Sequence, residues 1–234
     1  MPITTVPDHV AIAVQDIGSA AARWHDELGG GWLDAEVERL GRIPVAIRQL
    51  RFPNGGKLEL WQPDGPGFAQ QFMERYGTRV HHVTLKVPDA LLPAVETLQA
   101  EGYDVVDVST DGGWHEAFLR PSQVGGIIVQ VAWSEKTDEE WMTESGHTPE
   151  APRGEAALLG PTLTHPDLDA AERLWTTLGA KVTREDDALT VSWDGAVIDI
   201  RVERGATAGP LGLRFAGVDP LPADDELGPP VLGD

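Results

Sequence analysis

Asp8-His9-Val10-Ala11-Ile12-Ala13-Val14 returns later in the chain, in altered form, as His81-His82-Val83-Thr84-Leu85-Lys86-Val87. Both stretches alternate like a strand. Each is followed at once by an aspartate, Asp16 in the first and Asp89 in the second, placed to cap an amphipathic helix. The first helix carries Ile17, Ala20, Trp24 and Leu28 at helical spacing and stops at Gly29-Gly30-Gly31. The second carries Leu91, Val95 and Leu98 and stops at Gly102. Strands are predicted after each helix. In the first copy they are Val45–Phe52 and Lys57–Trp61, joined by the hairpin signal Pro53-Asn54-Gly55-Gly56, with a weakly marked strand in Trp32–Arg39. In the second they are Val105–Ser109, Glu116–Arg120 and Ile127–Trp133. Each copy reads β-α-β-β-β.

A fainter third copy follows. Leu163-Thr164-His165-Pro166-Asp167 leads into a helix with Leu168, Ala171, Trp175 and Leu178, and strands near Leu189–Trp193 and Ala196–Val202 flank a turn at Asp194-Gly195. Gly160 and Gly212 stand where a histidine would, and Asp199 is its only ligand-like residue. Leu213-Arg214-Phe215-Ala216 opens a fourth copy that is not completed. The expected fold is α+β. Residues 1–133 form a two-module domain (modules about 6–62 and 79–133), 134–156 a polar linker with a short helix around Glu139–Met142, 157–218 a degenerate third module, and 219–234 an acidic, proline-rich, mobile tail. An incomplete module exposes strand edges, so the third copy is expected to pair with its counterpart in a second chain, giving a homodimer.

The chain has 234 residues, 38 acidic and 18 basic side chains, a formal net charge of -20 and no cysteine. Absence of cysteine excludes a disulfide framework, a thiolate metal site and a thiol nucleophile. The charge argues against nucleic acid or an anionic membrane as a partner, since both need clustered Lys and Arg. The N-terminus lacks the basic and apolar regions of a signal peptide, and no apolar run approaches the roughly 18 residues of a membrane span. The expectation is a cytoplasmic protein acting on a small molecule.

Strand parity places the chemistry. Val10, Ile12 and Val14 share one face of their strand, and His9, Ala11 and Ala13 the other. In the matching strand His82, Thr84 and Lys86 oppose Val83, Leu85 and Val87; Glu59 lies between the leucines Leu58 and Leu60, and Gln130 opposes Val129 and Val131. Four strands thus have one aliphatic face, while the other carries His9, Glu59, His82 and Gln130. Two imidazoles, a carboxylate and an amide oxygen suit an N/O site for Zn, Ni, Co, Mn or Fe, with positions left for a bidentate substrate. Trp61 could floor such a cup, and Lys86, Arg48 and Arg120 could meet an anionic substrate group.

These residues resemble the paired βαβββ modules of the vicinal oxygen chelate superfamily, which includes glyoxalase I, methylmalonyl-CoA epimerase, extradiol dioxygenases and bleomycin resistance proteins. The likeness covers about residues 6–133 and is strongest over Asp8–Val14, Arg79–Asp89 and the run from Phe118 to Gln130. It implies metal ligands on the first and last strands of each module, at His9, Glu59, His82 and Gln130. It further implies a metal-dependent epimerase, isomerase or lyase in which an enolate is stabilised while a proton moves, with Glu59 as both ligand and proton carrier. In epimerases of this type a carboxylate on the third strand of the first module helps move the proton; here that strand, Val45-Ala46-Ile47-Arg48-Gln49, has none. The pseudo-symmetric place falls near His115-Glu116, which makes His115 the candidate acid–base residue. The alternatives are an Fe(II) extradiol dioxygenase and a non-catalytic drug- or metabolite-binding protein.

Overall fold

The computed structural model describes residues 2–41 and 43–234. The first module runs β1 (Val6–Ala13), α1 (Ile17–Ala21), β2 (Gly31–Trp32), β3 (Glu38–Leu40), β4 (Val45–Arg51) and β5 (Lys57–Pro63). After α2 (Phe68–Tyr76), the second runs β6 (Arg79–Lys86), α3 (Leu91–Ala100), β7 (Val105–Ser109), β8 (Trp114–Leu119) and β9 (Ile128–Ser134). After α4 (Asp138–Ser145), the third runs β10 (Ala157–His165), α5 (Leu168–Thr177), β11 (Lys181–Glu185), β12 (Ala188–Ser192) and β13 (Ile200–Arg204), followed by β14 (Gly209–Ala216) and β15 (Val231–Leu232). A nine-stranded sheet has the order β2-β4-β5-β1-β6-β9-β8-β7, with β3 also on β4; a six-stranded sheet has the order β11-β12-β13-β10-β14-β15. The weakly marked strand of the first module is therefore two short strands. They are separated by a bend at Asp34, whose side chain accepts from the Gln49 amide at 2.7 Å.

Helix starts follow local chemistry. Asp16 accepts from Ser19 N at 2.7 Å, and Asp167 accepts from Asp169 N and Ala170 N at 3.0 Å. Asp89 does not cap its helix: the N-cap of α3 is Ala90, without a side-chain hydrogen bond, because the helix begins one residue later than the matching position in the other copies. Past α1 the helix widens into a π-helical stretch, Ala22–Glu27.

Compact packing groups the chain into two units. One comprises residues 1–9, 82–137 and 160–211; the other comprises 10–81, 138–159 and 212–234. In the former, α3 buries Leu91, Val95 and Leu98, and α5 buries Leu168, Ala171, Leu174 and Trp175. Trp175 meets Trp193 edge-on at 6.3 Å, and the Trp193 indole N–H donates to Thr5 Oγ1 at 3.0 Å.

In the other unit, Trp24, Phe52 and Phe215 form a fully buried aromatic group, with ring centroids 6.1 Å apart for Trp24–Phe215 and 4.9 Å for Phe52–Phe215. The C-terminal residues are part of this core, contrary to the mobile tail predicted from their composition. Trp24 Nε1 donates to Leu227 O at 2.6 Å, Arg23 Nη1 donates to Gly228 O and Pro229 O at 3.2 Å, and β15 pairs in parallel with β14. The residues between β9 and β10 also pack: Glu150 N donates to Trp32 O at 2.8 Å and Arg153 N to Gly29 O at 2.6 Å. Gly29 and Gly31 permit this approach, since a Cβ at either would fall 2.0 and 2.2 Å from the carbonyl oxygens of Arg153 and Glu150. Among the described residues no helix is long and apolar enough to cross a membrane.

Candidate metal centre

Parallel ladders set the frame of the site. In β1–β5 Ala11 lies opposite Glu59, and in β6–β9 Thr84 lies opposite Gln130. His9 and His82 stand two residues earlier on β1 and β6, on the same face as Ala11 and Thr84, because side chains alternate along a strand. All four polar residues are buried: His9 is 3%, Glu59 5%, His82 5% and Gln130 6% exposed. One ligand atom from each of His9, Glu59 and His82 lies within 4.8 Å of the others. The His9 and His82 rings meet edge-on at 5.5 Å.

Hydrogen bonds orient the donors. The Asp8 carboxylate accepts from His9 Nδ1 at 2.7 Å and pairs through its other oxygen with Lys86 Nζ at 2.9 Å. Nε2 of His9 is thereby turned inward, where it lies 3.0 Å from Thr84 Oγ1. That hydroxyl donates to Gln130 Oε1 at 2.6 Å, so an imidazole nitrogen and an amide oxygen converge on one hydroxyl. The amide is held the right way round because Gln130 Nε2 donates to Glu116 Oε2 at 2.7 Å. Trp114 Nε1 donates to the same carboxylate oxygen at 3.2 Å, and Lys86 Nζ sits 5.1 Å above the Trp114 ring. In the first module Gln49 Nε2 donates to Glu59 Oε2 at 3.2 Å. Each module thus carries one hydrogen-bonded Gln–Glu pair on its last two strands, with the two residue types exchanged between modules.

The other predicted residues fall elsewhere. His115 is opposite Trp133, meets its ring at a tilt of 42° with centroids 4.7 Å apart, and lies 3.2 Å from Gly112 O through Nε2; Glu116, not His115, is on the face of Gln130. Sequence parity carried this signal, since Ala117 and Leu119 are the buried apolar residues of β8. Trp61 packs against α2 in a cluster with Ala13, Val45, Ala69 and Met73 and stacks on His81 at 4.1 Å. Arg48 lies 3.9 Å over the Trp32 ring and donates to Asp34 O and Ala35 O. Arg120 is exposed and faces Asp104 at 3.5 Å. Asp8, Thr84, Gln49 and Glu116 complete the polar groups and were not singled out from sequence.

His81 is fully buried between Trp61 and Phe72, and burial, reinforced by the Arg79 charge, pushes its pKa down to about 3. In the unfolded chain it titrates near 6.5, so between these values the unfolded state binds more protons. Its contribution to stability is complete above pH 6.5 and is lost as pH falls. The expected loss is about 2 kcal/mol between pH 6.5 and 5. Urea midpoints of wild type and His81→Phe at the two pH values check this: the variant should lack that part of the acid slope.

Paired βαβββ modules, each with buried polar residues on its first and last strands, define the class of protein to which this fold belongs. The chain belongs to the glyoxalase/bleomycin resistance protein/dioxygenase superfamily, whose family model matches residues 8–118. An ethylmalonyl-CoA/methylmalonyl-CoA epimerase of Cereibacter sphaeroides is 32% identical over 133 residues, which are 53% of this chain and 94% of that protein. A hypothetical protein from Staphylococcus aureus has the same fold across 99% of both chains, with a TM-score of 0.71 at 12% identity. An extradiol ring-cleaving dioxygenase from B. fuscum matches 93% of this chain and 58% of its own, with a TM-score of 0.61 at 16% identity.

Proposed function

We propose that this chain is a divalent-metal-dependent epimerase or isomerase that moves a proton at a carbon next to a carbonyl. The observation that carries the reading is the convergence of His9, Glu59 and His82 in buried surroundings. The donor set fits: His9, His82, Glu59 and the Gln130 amide oxygen are the nitrogen and oxygen ligands preferred by Zn, Ni, Co, Mn and Fe(II). Asp8 supplies the carboxylate that commonly fixes a metal-binding histidine from behind. A cation held there would oppose the negative charge that develops on the substrate's carbonyl oxygen.

The protein's own groups do the rest. Glu59 takes the proton from one face of the substrate carbon, with Gln49 holding its Oε2; inversion requires a second group to deliver a proton to the opposite face. Glu116, rather than His115, is the second group available for acid–base work, because it accepts from the Gln130 amide. Lys86 acts through Asp8. The relative's name points to a CoA thioester as the first substrate class to try.

The test is deuterium exchange. Metal-loaded protein incubated with methylmalonyl-CoA in D₂O is expected to label the carbon next to the thioester, read by mass spectrometry. Glu59→Gln keeps an oxygen donor but loses the proton carrier, so exchange should fall by about 10²–10⁴-fold while metal is retained. Undiminished exchange in that variant would remove Glu59 from the role. Oxygen uptake with a catechol, and no exchange, would replace the reading with ring cleavage.

A further inference from the structure

The same ladders that frame the metal centre place the third module in register with the other two. Ala11 lies opposite Glu59, Thr84 opposite Gln130 and Thr162 opposite Arg201. Two residues earlier stand His9, His82 and Gly160. The third module therefore carries a guanidinium where the others carry Glu59 and Gln130. Asp199, the residue the sequence suggested as a surviving ligand, falls two positions short, before β13 begins. No side chain fits at Gly160, whose φ is +129° and whose added Cβ would lie 1.9 Å from Asp199 O. Metal ligation is not merely lost in this module; the charge at its centre is reversed.

Arg201 sits in a row of hydroxyls. Thr162 is its register partner on β10, Thr190 its partner on β12, and Thr183 lies opposite Thr190 on β11. Residues in register on adjacent strands share a face. Leu163 and Val202 face the other way, lining with Ala171, Leu174 and Trp175 of α5 the apolar side of this sheet. Arg201 Nε donates to Glu203 Oε1 at 2.9 Å, and its Nη atoms have no hydrogen-bond partner among the described residues. Its side chain is 40% exposed, so the fork opens to solvent. Thr162 is only 2% exposed, and its hydroxyl has no partner. A buried hydroxyl without a partner is costly to keep, which favours a ligand that meets it. A planar guanidinium with two outward amino groups matches the spacing of a carboxylate or phosphate.

We propose that this face of the six-stranded sheet binds a small oxyanion, a carboxylate or phosphate, on the Nη edge of Arg201, with the Thr162 hydroxyl as an additional donor. Glu203 occupies the Nε edge and thereby fixes which edge the anion takes. The site is separate in chemistry from the metal centre and needs no metal.

Calorimetric titration of the intact chain, dialysed against chelator, tests it, with inorganic phosphate in one arm and malonate in the other. Saturable one-site binding of either anion is expected, and which of them binds identifies the source of the oxyanion. Arg201→Met should weaken it at least tenfold and Thr162→Val by about tenfold, while Co(II) uptake by both variants, titrated separately, stays that of wild type. Arg201→Lys should restore only part, because an ammonium lacks the fork. No saturable binding of either anion, or Arg201→Met binding as wild type does, overturns the proposal. Should Arg201→Met fail to fold, Thr162→Val decides: it keeps the side-chain shape, and unchanged affinity in it overturns the site as drawn.

Discussion

His82→Ala is expected to emerge from chelator-free purification without the roughly one equivalent of transition metal expected in wild type. His82 and His9 are buried edge-on at 5.5 Å, and they share with Glu59 a cluster of donor atoms within 4.8 Å. Removing an outer-shell partner of a metal-binding histidine costs about 10–100-fold in affinity. Asp8→Asn should fall in that range, because it weakens the hold on His9 Nδ1 without deleting a donor. Loss of His82 itself should exceed it. Catalysis should fall by about 10³-fold or more, the equivalent of some 4 kcal/mol of stabilisation at the developing oxyanion. Elemental analysis and a Co(II) titration followed by visible absorption measure the first effect; deuterium exchange measures the second. Full metal occupancy in His82→Ala would end the assignment of that residue.

The second large effect concerns stability. Trp24→Ala should cost about 3–5 kcal/mol, the usual range for deleting a buried tryptophan. Trp24 is fully buried, packs with Phe215, and donates its indole N–H to Leu227 O at 2.6 Å. Gly228 lies against the ring so closely that a Cβ there would come 2.8 Å from it. The cavity would therefore open beneath the C-terminal residues. Leu227 would keep an unmet carbonyl, and residues 224–231 should become sensitive to protease. Urea denaturation and limited proteolysis read the two consequences. Trp24→Phe, which keeps most of the volume but loses the donor, should cost only about 1–2 kcal/mol. A small cost for Trp24→Ala would mean that the tail is held by other contacts.

Both predictions concern residues at repeated positions, and repetition is what made them readable. His9 and His82, and Trp24 and Trp175, occupy matching places in copies of one pattern. Alternation along the strands then separated Glu59 and Gln130 from their aliphatic neighbours. Features outside the repeat were harder. The helix α2 has Phe68, Phe72 and Tyr76 at helical spacing, but it is an insertion between modules and no second copy marked it. The choice of His115 over Glu116 ignored the parity set by Ala117 and Leu119. Acidic, proline-rich composition made residues 219–234 read as mobile, because composition reports local preference, whereas their anchors are Arg23 and Trp24 near the other end of the chain. Asp199 is the one ligand-like residue that the sequence offers in the third copy, and only the β10–β13 register shows that Arg201 holds the position matching Glu59 and Gln130.

Neither packing unit is a continuous stretch of chain. One waits for residues up to 211 and the other for residues up to 234, although both begin within the first ten. Segments distant in sequence must therefore meet before either unit is complete. Loop-closure entropy is lost before such long-range contacts are gained, so the contacts that finish each core are the slow ones to form.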